Sequence, residues 1–209
     1  MRTRIKICGI RSLDDLRMVV DAGVDAVGFV VDVPSSPRNL KLEEARRLVK
    51  ATPVFVETVA VTMPRDVNHL KLILDVVEPD AVQVHGLRVD GGLRDSLPGV
   101  KLIAAVQATS SIDELALEAS RYSDAILVDT PGERGGTGKT HDWSISKRTR
   151  ELIYPKPMIL AGGLNAGNVK EAIRIVRPFA VDVSSGVESM PGVKDKVKVL
   201  DFVKSVMEA

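Results

Sequence analysis

The chain has 209 residues, 44% hydrophobic and 27% charged, with 29 Lys and Arg against 28 Asp and Glu for a formal net charge of +1. That is enough chain to bury a sizeable core, with no charge excess pointing to nucleic acid or an anionic membrane, and too few aromatics (3%) for a base-stacking surface. The single cysteine forbids an intramolecular disulfide, and no signal-peptide or membrane-length apolar run is present, so a reduced, cytoplasmic setting is expected.

From the N-terminus onward, short β-branched runs alternate with amphipathic stretches. Strands are expected near 4–8, 25–30, 54–61, 80–84, 100–105, 124–128, 157–161 and 179–183. Helices are expected near 12–22, 41–50, 65–77, 89–96, 112–120, 144–152, 166–176 and 194–207, the fourth with Gly91 and Gly92 inside it. Ser12 to Asp15 and Ser111 to Glu114 read as capping boxes, while Pro98-Gly99, Pro155 and Pro178 mark gaps before strands. Eight consecutive βα units without a composition break point to an α/β chain folded as one single-domain (β/α)8 TIM barrel over 1–209. A doubly wound open sheet is the alternative, but it rarely needs eight consecutive units.

Barrel enzymes place their chemistry where strands end and the following loops begin. Here those points carry Lys6-Ile-Cys-Gly9, Ser36-Pro-Arg38, Gln83-Val-His-Gly86, Asp129-Thr130, Ala161-Gly-Gly163 and Asp182-Val-Ser-Ser-Gly186. Gly162 and Gly163, with Ser185 and Gly186, suit a phosphate site, because glycine lets backbone N–H groups approach an anion closely. The same glycines would also serve merely to shape tight turns. Gly138-Lys139-Thr140 resembles the end of a P-loop, but Glu133 stands where that motif needs glycine. Gly132, Gly135, Gly136 and Gly138 instead suit a lid over a substrate.

Cys8 taken alone reads either as an inert buried thiol or as a reactive one favoured by Lys6, which shares its strand face. Asp129 suits a loop anchor as well as an acid. Together, across a barrel mouth, they form an acid/base pair. Arg38 reads as a solvated arginine or a fork for a substrate carboxylate, and His85 as a turn residue or a site residue. His69, His85 and His141 are too scattered for a zinc site, and no metal is expected.

These segments, together with Asp142-Trp143, Leu160 to Leu164 and Val181 to Glu188 followed by Pro191-Gly192 and Lys194-Asp195, resemble the phosphoribosylanthranilate isomerases over almost the whole chain. The resemblance implies a barrel and an Amadori rearrangement in tryptophan biosynthesis, converting N-(5-phosphoribosyl)anthranilate to 1-(2-carboxyphenylamino)-1-deoxyribulose 5-phosphate. It implies no cofactor and no metal. It makes Asp129 the general acid and Cys8 the general base, gives Arg38 the anthranilate carboxylate, puts the phosphate at the ends of strands seven and eight, and leaves His85 among the substrate-binding residues. These roles suit a depressed thiol pKa and a raised carboxyl pKa. The chain departs from many relatives between Gly28 and Arg38 and at Val59 to Met63.

A phosphosugar isomerase with paired aspartates has Cys8 against it, a metal-dependent epimerase lacks its ligands, and a silent binding barrel has no need of an acid and a base. The sequence is compatible with a monomer or a homodimer.

Overall fold

Residues 2–132 and 140–209 are described by the computed structural model. In chain order the elements are β1 (Arg4–Cys8), α1 (Leu13–Asp21), β2 (Ala26–Val31), β3 (Asn39–Leu40), α2 (Leu42–Ala51), β4 (Glu57–Thr62), α3 (Val67–Val77) and β5 (Ala81–Val84). They continue with α4 (Gly91–Asp95), β6 (Lys101–Gln107), α5 (Ile112–Tyr122), β7 (Ala125–Asp129), α6 (Trp143–Leu152), β8 (Met158–Leu160), α7 (Val169–Val176) and β9 (Ala180–Val183). A 3₁₀ turn (Ser185–Val187), a hairpin of β10 (Glu188–Met190) and β11 (Val193–Lys194), and α8 (Lys196–Met207) complete the order.

Eight strands, β1, β2 and β4 to β9, pair in parallel with their neighbours, and β1 pairs with both β2 and β9, so the sheet closes. Closure leaves no free edge among these eight strands and sorts side chains by the strand's period of two. Ile5 and Ile7 point to the helices and Lys6 and Cys8 to the interior; Val181 and Val183 alternate with Ala180 and Asp182 in the same way. The interior is small, filled by Ala81, Ala161, Ala180, Val59, Ile103 and Leu127, while the larger core of Leu, Ile, Val and Phe lies between strands and helices.

The expected elements are all present, with local differences. The third barrel strand starts at Glu57 rather than Val54, because Pro53 opens a turn in which Val56 N–H donates to Pro53 O (3.3 Å) and Phe55 takes φ +73°. The seventh helix starts at Val169: Asn165 and Asn168 side chains capture backbone N–H groups of Gly167 and Asn165 and hold the segment in a turn. The fourth helix shrinks to five residues capped by Asp90. Ser12 does cap α1 by accepting from Asp15 N–H, but Ser111 makes no cap hydrogen bond to α5, its hydroxyl instead lying 3.2 Å from Thr109 Oγ1. No helix among the described residues is long and apolar enough to cross a membrane.

Candidate active site

At the C-terminal ends of the strands a cavity of about 850 Å³ opens, a size suited to a small-molecule substrate. Cys8, Arg38, His85, Asp129, Gly162, Gly163, Ser185 and Gly186 all line it, so the residues given catalytic or substrate-binding roles from the sequence converge on one space.

On its floor, Lys6 Nζ donates to Asp182 Oδ1 at 2.8 Å, both buried, from neighbouring inward positions of β1 and β9. Cys8 sits one pleat above Lys6. Gly28, its register partner in β2, makes room for both: a Cβ there would fall 2.9 Å from Cys8 Sγ and 3.1 Å from Lys6 Nζ. Burial works against the Lys6 charge, but Asp182 and Cys8 outweigh it and hold the ammonium above its ordinary pKa. Burial also pushes the Cys8 thiol up. Lys6 pulls down, Asp182 adds to the rise, and Lys194 and Arg38 do not reverse it. The depressed thiol that would suit a base is therefore not found in the free site: burial outweighs the pull of Lys6, and Asp182 adds to the rise.

Asp129 enters from β7, opposite. Burial raises its carboxyl to about 6, against a lowering hydrogen bond from Thr130 N–H to Oδ1 (2.8 Å), and the negative field of Asp182 adds to the rise. A carboxyl raised in this way suits a general acid. Thr130 also pairs with His141 Nδ1 (3.0 Å), whose Nε2 lies 2.6 Å from Ser146 Oγ, tying the start of the sixth loop to the helix that follows it. Gly135, Gly136 and Gly138 of the expected lid lie outside the described residues, as does most of the P-loop-like segment; Gly132 lines the cavity.

His85 Nε2 lies 2.8 Å from Gln83 Nε2, and burial, assisted by Lys6, lowers the imidazole to about 4, leaving a neutral ring at neutral pH. Two like nitrogens that close require one to accept, so the His85 Nε2 lone pair faces the Gln83 amide.

Arg38 is buried and forked onto Glu188, Nε to Oε1 at 2.8 Å and Nη2 to Oε2 at 2.6 Å. Lys194 Nζ donates to the same Oε1 at 2.9 Å. Burial would raise the Glu188 carboxyl, but Arg38 and Lys194 hold it below the ordinary range.

Loops seven and eight touch backbone to backbone. Gly162 (φ +89°) lies against Thr130, and a Cβ on Gly186 would come 1.9 Å from Leu164 O. Both contacts require glycine. Gly186→Ala should therefore push loop eight off loop seven and destabilise the fold by about 1–3 kcal/mol, and if these loops hold the phosphate expected from the sequence it should weaken competition by inorganic phosphate roughly tenfold or more. Phosphate inhibition constants and thermal melts check this; an unchanged inhibition constant would reduce Gly186 to a turn residue.

Asp182, Glu188, Lys194, Gln83 and Thr130 were not singled out as site residues from the sequence. For Asp182 and Gln83 a signal existed: each is a polar residue at an inward position of a strand otherwise buried on both faces. For Glu188 and Lys194 it was opposite charges flanking Pro191-Gly192. Among the described residues no cluster of three or more His, Cys, Asp or Glu is placed to hold a metal.

The family model described as N-(5'phosphoribosyl)anthranilate isomerase matches residues 5–205. The chain belongs to the N-(5'-phosphoribosyl)anthranilate isomerase family. It is 44% identical over 208 residues to the N-(5'-phosphoribosyl)anthranilate isomerase of Methanothrix thermoacetophila, covering 98% of each chain. The solved phosphoribosyl anthranilate isomerase of Thermotoga maritima superposes with a TM-score of 0.88 at 40% identity, over 99% of this chain and 100% of that one. A phosphoribosyl anthranilate isomerase in complex with reduced 1-(o-carboxyphenylamino)-1-deoxyribulose 5-phosphate superposes with a TM-score of 0.85 at 38% identity, over 99% and 100% of the two chains. Members of this isomerase family thus share both the closed barrel and its full length with this chain.

Proposed function

We propose that this chain converts N-(5'-phosphoribosyl)anthranilate to 1-(2-carboxyphenylamino)-1-deoxyribulose 5-phosphate, a step of tryptophan biosynthesis, with Asp129 as general acid and Cys8 as general base. The observation that carries the reading is their convergence from β1 and β7 on one cavity, with the carboxyl raised to about 6. A carboxyl raised that far keeps a usable protonated fraction near neutral pH.

Asp129 gives its proton to the furanose ring oxygen as the C1–O bond breaks, and the anthranilate nitrogen lone pair forms the C1=N bond of a protonated Schiff base. That cation acidifies the C2 proton. The Cys8 thiolate takes it, and the C2–H electrons become the C1=C2 bond of an enolamine, which then tautomerises to the ketone. Lys6 beside Cys8 offsets the cost of thiolate charge. The iminium adds a second cation when the base is needed. The neutral His85 imidazole offers a hydrogen-bonding group to sugar hydroxyls without adding charge.

Arg38 receives the anthranilate carboxylate on the part of its guanidinium that Glu188 leaves free. The backbone of loops seven and eight, at Gly162, Gly163, Ser185 and Gly186, receives the phosphate.

The test is turnover of freshly made N-(5'-phosphoribosyl)anthranilate followed by its fluorescence change. Conversion at rates far above the uncatalysed background is expected. Absence of turnover in folded protein sinks the reading.

A further inference from the structure

The β10–β11 hairpin stands outside the barrel, and none of the bond-making steps above uses it. Its base nonetheless buries three charged side chains, Arg38, Glu188 and Lys194. Glu188 and Lys194 face each other in register, 6% and 5% exposed. The three hydrogen bonds from Arg38 and Lys194 satisfy both Glu188 oxygens, and Lys194 Nζ also donates to Ser184 O at 3.1 Å, at the edge of the phosphate loop. Lys198 Nζ donates to the Glu188 carbonyl at 2.7 Å and fixes the hairpin to α8.

Two cations and one anion leave a net positive charge at the cavity wall. Burying such a set is costly and seldom repaid in stability alone. The geometry suggests what it serves. A guanidinium presents a side edge, Nε with one Nη, and an end edge made by the two Nη groups. Glu188 takes the side edge through Nε and Nη2. The end edge, with Nη1 and the second N–H of Nη2, is left for a second carboxylate. Gly9 presses on the other side of the arginine stem: a Cβ there would lie 2.5 Å from Arg38 Cδ. The side chain is thus held along its length as well as at its tip.

We propose that Glu188 is a positioning residue for substrate specificity: it locks Arg38 with its end edge toward the cavity to receive the aryl carboxylate. Lys194 couples that lock to the phosphate loop through Ser184. The inference rests on the reading of Arg38 as the carboxylate receptor.

Its test compares two ligands on wild type, Glu188→Gln and Arg38→Ala. One is the reduced product analogue that bears the aryl carboxylate; the other is its aniline counterpart, which lacks it. Glu188→Gln should weaken the first by about 10- to 100-fold, the scale of a misaligned charge-assisted hydrogen-bond pair, and the second by less than about threefold. With substrate, the loss should appear in KM rather than kcat. Equal weakening of both ligands, or of neither, overturns the proposal, since a merely structural ion pair does not distinguish them. If Glu188→Gln does not fold, Glu188→Asp carries the same comparison. Arg38→Ala separates the two levels. If it keeps wild-type discrimination, the reading of Arg38 falls; if it loses discrimination while Glu188→Gln keeps it, only the role of Glu188 falls.

Discussion

Replacing Cys8 by serine should lower kcat by about 10²- to 10⁴-fold, the usual contribution of a positioned base, while the fold survives. The change is nearly isosteric, and a hydroxyl can take the place of the sulfur beside Lys6. What is lost is acidity. Even a thiol pushed above its ordinary value by burial ionises far more readily than an alcohol. Lys6 cannot close that gap, because it is already shared with Asp182 at 2.8 Å. Single-turnover rates on fresh substrate, with thermal melts beside them, check this. Full activity in Cys8→Ser would return the residue to an inert interior thiol.

The barrel was legible because its cause is local and repeated. Each strand's β-branched run and each helix's periodic face announces itself within a dozen residues, and eight such units have few ways to close. Which strand ends meet is then fixed by topology, so Cys8 and Asp129, 121 positions apart in the sequence, could be placed on one rim before any coordinates. Charge balance was not legible in that way. Lys6 beside Cys8 suggested a thiol eased toward thiolate. Burial inside the closed barrel outweighs that pull, and closure of β9 onto β1 brings Asp182 to the same ammonium and adds to the rise. Arg38 read as a free fork or a solvated side chain, yet 150 residues later Glu188 occupies one of its edges. Such pairings depend on long-range register, which no window of sequence contains. Turn chemistry was missed for a different reason: at Asn165 and Asn168, side chains compete with the helix for its backbone donors and delay its start.

Replacing Asp129 by asparagine should lower kcat/KM by about 10²- to 10⁴-fold and change the shape of its pH profile. The active form needs Asp129 protonated and Cys8 ionised, whereas the carboxyl titrates near 6 and the thiol above its ordinary value. The required pair is thus a minor form, and its population follows both titrations. In wild type it rises about tenfold per pH unit up to about 6, because thiolate gains while the carboxyl stays protonated. Above 6 the loss of carboxyl protons cancels the gain of thiolate, and the rate is flat until the thiol ionises and it falls. The amide in Asp129→Asn has no carboxyl proton to lose, so the residual rate of the variant should keep climbing through 6 without a plateau. A plateau from 6 in the variant would remove Asp129 as the titrating acid. Stability should move the opposite way to activity. A carboxyl whose pKa is raised from 3.8 to about 6 by folding binds its proton more tightly when folded, so wild type loses stability as pH rises from about 4 through 6. Against the uncharged asparagine, that deficit should reach on the order of 1–3 kcal/mol at about pH 8 and vanish near about pH 3.5. Denaturant melts at the two pH values measure it. A variant that is slower yet more stable only above about pH 4 ties both effects to one buried proton, since lost packing at Asp129 would cost stability at every pH.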